Sequence, residues 1–266
     1  SAVSSGTAHV VAQSVSQAAL AKQQGADLPI ISSQTVGAPY LLVAGPDKAD
    51  VPVSPEGADG WQETIRALKG ATISGSGPGT PPDHILKGLY QDAGLSPTDY
   101  TIVNIQHGGP EVAAMKSGQI DAAFVDIGTA LSLVNEAGGR VVMNLSKSGP
   151  DWLTTQAWSG FMSSADTLAK FPELAQRWKA AMDETREFFQ NPENIKELHR
   201  IAVEVCDIPE ANGLDEAITT FASMMRPSFT TEQVQTTIDF LVRSGQIKEE
   251  PVVKPADIIA PQALSS

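Results

Sequence analysis

Ala71-Thr72-Ile73-Ser74-Gly75-Ser76-Gly77-Pro78-Gly79-Thr80-Pro81-Pro82-Asp83 decides how the chain folds. Ala71 to Ser74 reads as a strand, and the glycine-rich run after it as a turn. Thr80 then opens a helix. It is a good N-cap, Pro81 takes the first helical position, and Asp83 completes a Thr-x-x-Asp box. Ile85, Leu86, Leu89, Tyr90 and Ala93 recur at helical spacing to make one apolar face, and Gly94 supplies the stop. Strand, turn and capped helix in succession open a βαβ unit.

The same alternation extends in both directions. Downstream come a strand at Thr101 to Ile105, a helix at Pro110 to Ser117 and a strand at Ile120 to Val125. A helix at Gly128 to Ala137 and a strand at Arg140 to Leu145 follow. Upstream lie a helix around Gly60 to Leu68 and strands at His9 to Ala12, Leu28 to Ser32 and Tyr40 to Ala44, with a helix from the first strand to Gln24. This predicts an α/β protein with a mainly parallel sheet. Gly45 to Gly60, dense in Pro, Gly, Asp and Ser, reads as a linker.

After Ser148-Gly149-Pro150 and one more strand, Gln156 to Met162, the pattern turns helical. Ser164 opens a long amphipathic helix with Leu168, Phe171, Leu174, Trp178, Ala181, Thr185 and Phe188 facing inward. Helices at Asn194 to Val205, Leu214 to Met225 and Thr230 to Ser244 come next, the last with a Thr230–Gln233 capping box. The Pro-rich tail from Pro251 to Ser266 is expected to be extended. Two linkers around one insert predict a first lobe of residues 1–55 and 150–266, an inserted lobe of residues 56–149, a hinge and a cleft between lobes.

Composition removes several classes of function. A net charge of −13 argues against a sequence-independent grip on nucleic acid, which needs a basic surface, and against adsorption to anionic lipid. No apolar run approaches the roughly 20 residues of a membrane helix, so no direct membrane insertion is expected. Cys206 is alone, so no internal disulfide forms, and the spacings of zinc and redox thiols are missing. His9, His84, His107 and His199 are scattered without metal-ligand spacing. Ser74 to Thr80 is not a nucleotide loop: no Lys follows its last Gly, and Pro78 interrupts a dinucleotide fingerprint. No Gly-x-Ser-x-Gly elbow occurs. The sequence therefore assigns no catalytic residue, metal or cofactor. His107, between a strand and Gly108-Gly109-Pro110, is given a loop-capping role ahead of a catalytic one.

Several stretches carry a family resemblance. They are Leu68-Lys69-Gly70-Ala71-Thr72-Ile73-Ser74-Gly75-Ser76, then Leu86-x-x-Leu89-Tyr90-x-x-Ala93-Gly94-Leu95, then Val112 to Ala123, with its helix ending in Gly118 before Ile120-Asp121-Ala122-Ala123. These resemble the second lobe of the nitrate/sulfonate/taurine-type (NMT1/THI5-like) periplasmic binding proteins. Ser5-Gly6-Thr7-Ala8-His9-Val10-Val11 resembles the Gly-x-x-Asp-Ala element of the first lobe, with His9 where an acid is usual; Gly245-Gln246-Ile247 and Ala256 to Ile259 resemble the family's close. The resemblance implies a two-lobed type 2 periplasmic-binding-protein-like clamp. Family members place a strand, a helix and a second strand before the Gly-x-x-Asp-Ala element, so the first β-α unit is expected to be missing here.

What the resemblance implies for function is the extracytoplasmic solute-binding component of an ABC-type importer. Such a protein captures a small anionic molecule (sulfonate, nitrate or carboxylate) in the interlobe cleft. It is not an enzyme, is monomeric, works with a membrane permease, and is exported to the periplasm by a signal peptide not present in this chain. Two alternatives share the fold. One is an enzyme of thiamine-precursor-synthase or chorismate-dehydratase type, the former usually with a cysteine-rich stretch. The other is the sensor half of a transcription regulator.

In an open α/β sheet, ligands sit beyond the carboxyl ends of strands, where helix N-termini offer unpaired N–H groups and partial positive charge. Ser74, Ser76, Gly77, Gly79 and Thr80 are the first candidates for ligand contact. Gln13, Ser14 and Ser16 after the first strand, and Ser33 and Gln34 beside Thr35 after the next, would face the same ligand. Asp126 and Thr129 open a helix, where an Asp126 cap is favoured over ligand contact. Trp158, with Tyr40, could add an aromatic wall. The seven arginines lie mostly at helical positions, so backbone amides and hydroxyls, not an Arg clamp, are expected to hold the anion.

Overall fold

In the computed structural model, Val3 and residues 6–264 are described; Ser5 of the first-lobe resemblance and the tail residues Ser265 and Ser266 lie outside them. In chain order the elements are β1 (Val11–Ser14), α1 (Val15–Gln23), β2 (Ile30–Val36), β3 (Leu41–Ala44), α2 (Trp61–Ala67), β4 (Thr72–Gly75), α3 (Pro81–Asp92), β5 (Thr101–Asn104), α4 (Gly109–Lys116) and β6 (Ala122–Val125). They continue with α5 (Ile127–Ala137), β7 (Arg140–Asn144), α6 (Asp151–Thr154), β8 (Ala157–Met162), α7 (Ala165–Lys170), α8 (Leu174–Gln190), α9 (Ile195–Glu204), α10 (Leu214–Met224), α11 (Thr231–Arg243) and α12 (Pro255–Ile258). They form two compact units: Ser1–Gly37, Thr155–Asn194 and Thr219–Ser266 in the first, Ala38–Thr154 and Ile195–Ile218 in the second.

The first unit is built on a sheet of order β1-β8-β2, with β8 antiparallel to both neighbours. Successive residues of a strand face opposite ways. Ile30 accordingly packs with Val15, Ala19, Phe229, Ile238 and Leu241, while Ile31 packs on the other side with Ala175, Phe161 and Trp178. Gly160 permits the close approach of β8 and β2: a Cβ there would lie 2.6 Å from the Ser32 carbonyl oxygen and 2.7 Å from Ile30 Cγ2. The β2 register shifts on either side of that contact.

Three expectations fail in this unit. β1 begins two residues later than the predicted His9 start, and β2 runs on to Val36. Ser164 does cap a helix, accepting from Thr167 N, but that helix ends at Lys170. Pro172 lacks an amide proton and biases Phe171 away from helical angles, so α8 starts afresh at Leu174. Phe171 and Phe188 are 48% and 38% exposed, so the inward stripe is not continuous. The tail is also not simply extended. α12 and a 3-10 turn at Pro261–Ala263 bury Ile258, Ile259 and Ala263, and Ala260 N donates to Ile30 O at 2.8 Å.

The second unit has a five-stranded sheet of order β5-β4-β6-β3-β7. β4 is parallel to β5 and β6, whereas β3 is antiparallel to β6 and β7. Together with the antiparallel first sheet, this corrects the expectation of a mainly parallel sheet. Parallel neighbours need a crossover connection, usually helical. β4, β5 and β6 are linked through α3 and α4, but β3 follows β2, a strand of the other sheet, with no helix between. The predicted α3 face is buried throughout: Ile85, Leu86, Leu89, Tyr90 and Ala93 are at most 2% exposed. The run Gly45 to Gly60 is fastened along this unit instead of hanging as a linker. Ser54 N donates to Val142 O, Thr64 Oγ1 to Pro52 O and Arg140 to Val51 O.

Candidate functional site

In the first unit β1 and β2 end at the same edge, with Ser14 and Thr35 both opposite Ser159 of β8. The Ser159 hydroxyl joins them. It donates to Gln34 Oε1 at 2.9 Å and lies 2.7 Å from Thr35 Oγ1. A hydroxyl has one proton, so Thr35 is the donor to Ser159. With Gln34 Oε1 engaged, its Nε2 is left with two N–H donors and no protein partner among the described residues. Ser14 Oγ caps α1, accepting from Gln17 N at 3.3 Å, and no acidic residue stands in that first turn. No acid of its own first turn therefore offsets the positive end of α1. Gln13 is exposed at the strand end, Ser16 is half-buried in the first turn, and Trp158 is half-buried beside Ser159. Ser33 differs: it is buried and donates to Arg226 O at 2.6 Å.

The second unit presents the carboxyl ends of β4, β5 and β6 at one edge, but there the chain's own carboxylates occupy the donors. Asp83, only 2% exposed, accepts from Gly79 N, Lys87 Nζ and Tyr100 Oη, each at 2.7 Å. Thr80 has N-cap backbone angles, yet its hydroxyl donates back to Gly77 O at 2.6 Å, so the predicted Thr-x-x-Asp box does not form. Burial pushes the Asp83 carboxyl up, and the bonds from Gly79, Lys87 and Tyr100 outweigh it, leaving the group below its ordinary value. Gly77 is at φ +92°, and a Cβ there would lie 3.2 Å from Asn104 Cβ, so glycine is what fits this turn. Ser76 and Gly79 are exposed, and the Ser76 hydroxyl has no partner among the described residues.

Asp126 caps α5, accepting from Thr129 N and Thr129 Oγ1, both at 3.0 Å. The Tyr40 ring lies 4.9 Å from that of Phe124, and burial first, then the charge of Asp126, raise its phenol above the ordinary value. Ser74 is wholly buried and donates to Glu111, also wholly buried, whose other oxygen is 3.0 Å from His107 Nδ1.

Nothing local in the sequence singles out Ser159 or Glu111, save that Glu111 stands four residues after His107, across a helix start. The arginines are engaged elsewhere. Arg66 and Arg140 reach backbone carbonyls, Arg226 caps the carbonyl end of α10, and Arg177, Arg186 and Arg200 pair with carboxylates on their own helices. Arg243 also has a partner. Among the described residues no group of three His, Cys, Asp or Glu could hold a metal, and no helix is long and apolar enough to cross a membrane.

The alkanesulfonate-binding protein SsuA from Xanthomonas axonopodis pv. citri, bound to MOPS, has a similar structure: TM-score 0.64, 15% identity, covering 99% of this chain and 82% of that one. The periplasmic aliphatic sulphonate binding protein SsuA from Escherichia coli gives TM-score 0.65 at 17% identity, over 94% and 79% of the two chains. The periplasmic nitrate-binding protein NrtA from Synechocystis PCC 6803 gives TM-score 0.62 at 15% identity, over 89% and 65%. No curated protein matches the sequence. At these identities the likeness is one of fold, the α/β fold of periplasmic binding proteins. The family model for NMT1/THI5-like proteins matches residues 57–195, just over half of the sequence, and on that match the chain belongs to the NMT1/THI5-like family.

Proposed function

We propose that this protein is the extracytoplasmic solute-binding component of an ABC-type importer, capturing a small anionic molecule of the sulfonate, nitrate or carboxylate class without transforming it. The observation that carries the proposal is the carboxylate-free start of α1, set beside the free Gln34 amide and the Thr35–Ser159 hydroxyl pair at the same strand ends. The names of the structurally similar sulfonate- and nitrate-binding proteins support it, two of them being named as periplasmic.

An oxyanion needs donors and a positive potential, and the start of α1 offers both. Each hydrogen bond to a charged group contributes roughly 1.5–3 kcal/mol net. Three or four of them approach the −8 kcal/mol or so of a micromolar complex once association costs are met. In the second unit Asp83 and Asp126 already occupy the starts of α3 and α5, so a negative group is disfavoured there. The anion is therefore assigned to Ser14, Gln34 and the first turn of α1 around Ser16. A membrane permease is the proposed partner and the periplasm the proposed compartment.

The test is melting temperature against a panel of sulfonates, nitrate and carboxylates. A ligand at a hundredfold excess over Kd stabilises by about 2.7 kcal/mol, a rise of roughly 5–10 °C for a chain of this size. A rise confined to one anion class is the expected result. Flat melts across the panel would oppose the proposal.

A further inference from the structure

We propose that Arg226 is a further contact for the anion, meeting it beside the Gln34 amide with the Nε–Nη2 edge of its guanidinium. This rests on the solute-binding reading and adds a full positive charge to that site. Every residue involved belongs to the first unit.

The backbone of Arg226 is fixed to the end of β2. Arg226 N donates to Gln34 O at 3.0 Å, and the buried Ser33 hydroxyl donates to Arg226 O at 2.6 Å. Pro227 follows and biases residue 226 towards extended angles, as that pairing requires. Thr35 bridges Met225 in the antiparallel sense, so Gln34 and Arg226 form the next pair. Thr35 and Met225 are buried, Gln34 is half-buried and Arg226 is exposed, the alternation of an extended pair. Directly opposed residues lie on the same side, their Cβ atoms about 5 Å apart. The Arg226 side chain therefore leaves the backbone beside that of Gln34.

The guanidinium is held in place and only partly engaged. Nη1 donates to Ser223 O at 2.6 Å and to Met225 O at 2.9 Å, at the carbonyl end of α10. Gln190 Nε2 from α8 steadies the same end through Ala222 O and Met225 O. Among the described residues Nε and Nη2 have no protein partner, and the group forms no ion pair. Those two nitrogens share one edge, whose parallel N–H groups match two oxygens of a carboxylate, nitrate or sulfonate. In a chain of net charge −13, this is a cation without a carboxylate beside it. Ser33, expected to touch the ligand, instead stands one step behind it and holds Arg226.

Ethanesulfonate, nitrate and propanoate, each titrated into the full chain by calorimetry at low and at moderate salt, test this. Whichever binds is expected to bind Arg226→Gln about tenfold more weakly, and the fall of affinity with added salt should be shallower in that variant. Arg226→Lys keeps the charge and loses the fork, so it should keep the wild-type salt dependence and bind with intermediate affinity. Equal affinity in Arg226→Gln and wild type, or a loss with the salt dependence unchanged, overturns the proposal and leaves the anion reading standing. If none of the three binds the wild type, the anion reading falls and this proposal with it. A second measurement uses the wild type alone. The Arg226 Nε–H resonance should move as the bound anion saturates the chain; a resonance that stays still overturns the contact.

Discussion

Thr35 and Ser159 stand hydroxyl to hydroxyl, 2.7 Å apart across the β2–β8 pairing, and the Ser159 hydroxyl donates a hydrogen bond to Gln34 Oε1. That relay decides which way the Gln34 amide faces. Its oxygen is turned to the protein, and its N–H groups have no protein partner among the described residues. In Ser159→Ala the Gln34 oxygen loses its donor and the amide is free to turn. Affinity for the anion is expected to fall about tenfold, with a stability loss of about 1 kcal/mol, or 2–4 °C in Tm. Calorimetry and thermal melts read the two separately; unchanged affinity would contradict the relay.

Ser14→Asp separates the helix start from its charge. Aspartate is as good an N-cap as serine, so α1 should fold normally and Tm should stay within about 2 °C. The added carboxylate would sit where the anion is proposed to dock. At least a tenfold loss of affinity is expected. Equal binding by Ser14→Asp and wild type would place the anion elsewhere.

The two polar networks of the second unit differ in how far sequence reveals them. α3 was legible because its signals are local: Pro81 at the first position, the Ile85 to Ala93 spacing and the Gly94 stop. The contacts of Asp83 were not, because Tyr100 reaches it from the next strand and Gly79 from the preceding turn. Glu111 in the first turn of α4 reads as an ordinary solvated acid until folding brings Ser74 and His107 to it. Ser159 escaped for a related reason. β8 is antiparallel, so its opening residues, not its last ones, reach the edge where β1 and β2 end. Strand direction is a property of non-local pairing, and no residue in β3 or β8 announces it.

Asp83 makes the acid limb of stability testable. Its folded pKa is below the ordinary value, so the stability it contributes is present above roughly pH 4 and is lost as pH falls through the folded value. Asp83→Ala removes the carboxylate that Gly79 N, Lys87 Nζ and Tyr100 Oη share, leaving Tyr100 only the carbonyl oxygen of residue 83. A loss of about 3 kcal/mol at pH 7 is expected, shrinking at pH 2–3, where the wild-type carboxyl is itself protonated. Urea unfolding at the two pH values measures the difference.

His199 gives the opposite sign. Its Nδ1 is 2.6 Å from Asp215 Oδ1 and its Nε2 3.0 Å from both oxygens of Glu210, so serving both carboxylates needs both ring protons. The bond to Asp215 first, then that to Glu210, raise its pKa. Its contribution is fully present below roughly pH 6.5 and is lost as pH rises through the raised folded value. The urea midpoint of His199→Gln should lie below that of the wild type at pH 6 and meet it at pH 9. A gap that persists at pH 9 would show that the clamp does not depend on protonation.

Capture without conversion leaves a signature that mass spectrometry reads. The chain is incubated with whichever anion raises its Tm, the complex is weighed intact, and the released small molecule is weighed again after several hours. A one-to-one complex that releases a molecule of unchanged mass is the predicted result. A released molecule of altered mass would contradict the account and make the protein an enzyme.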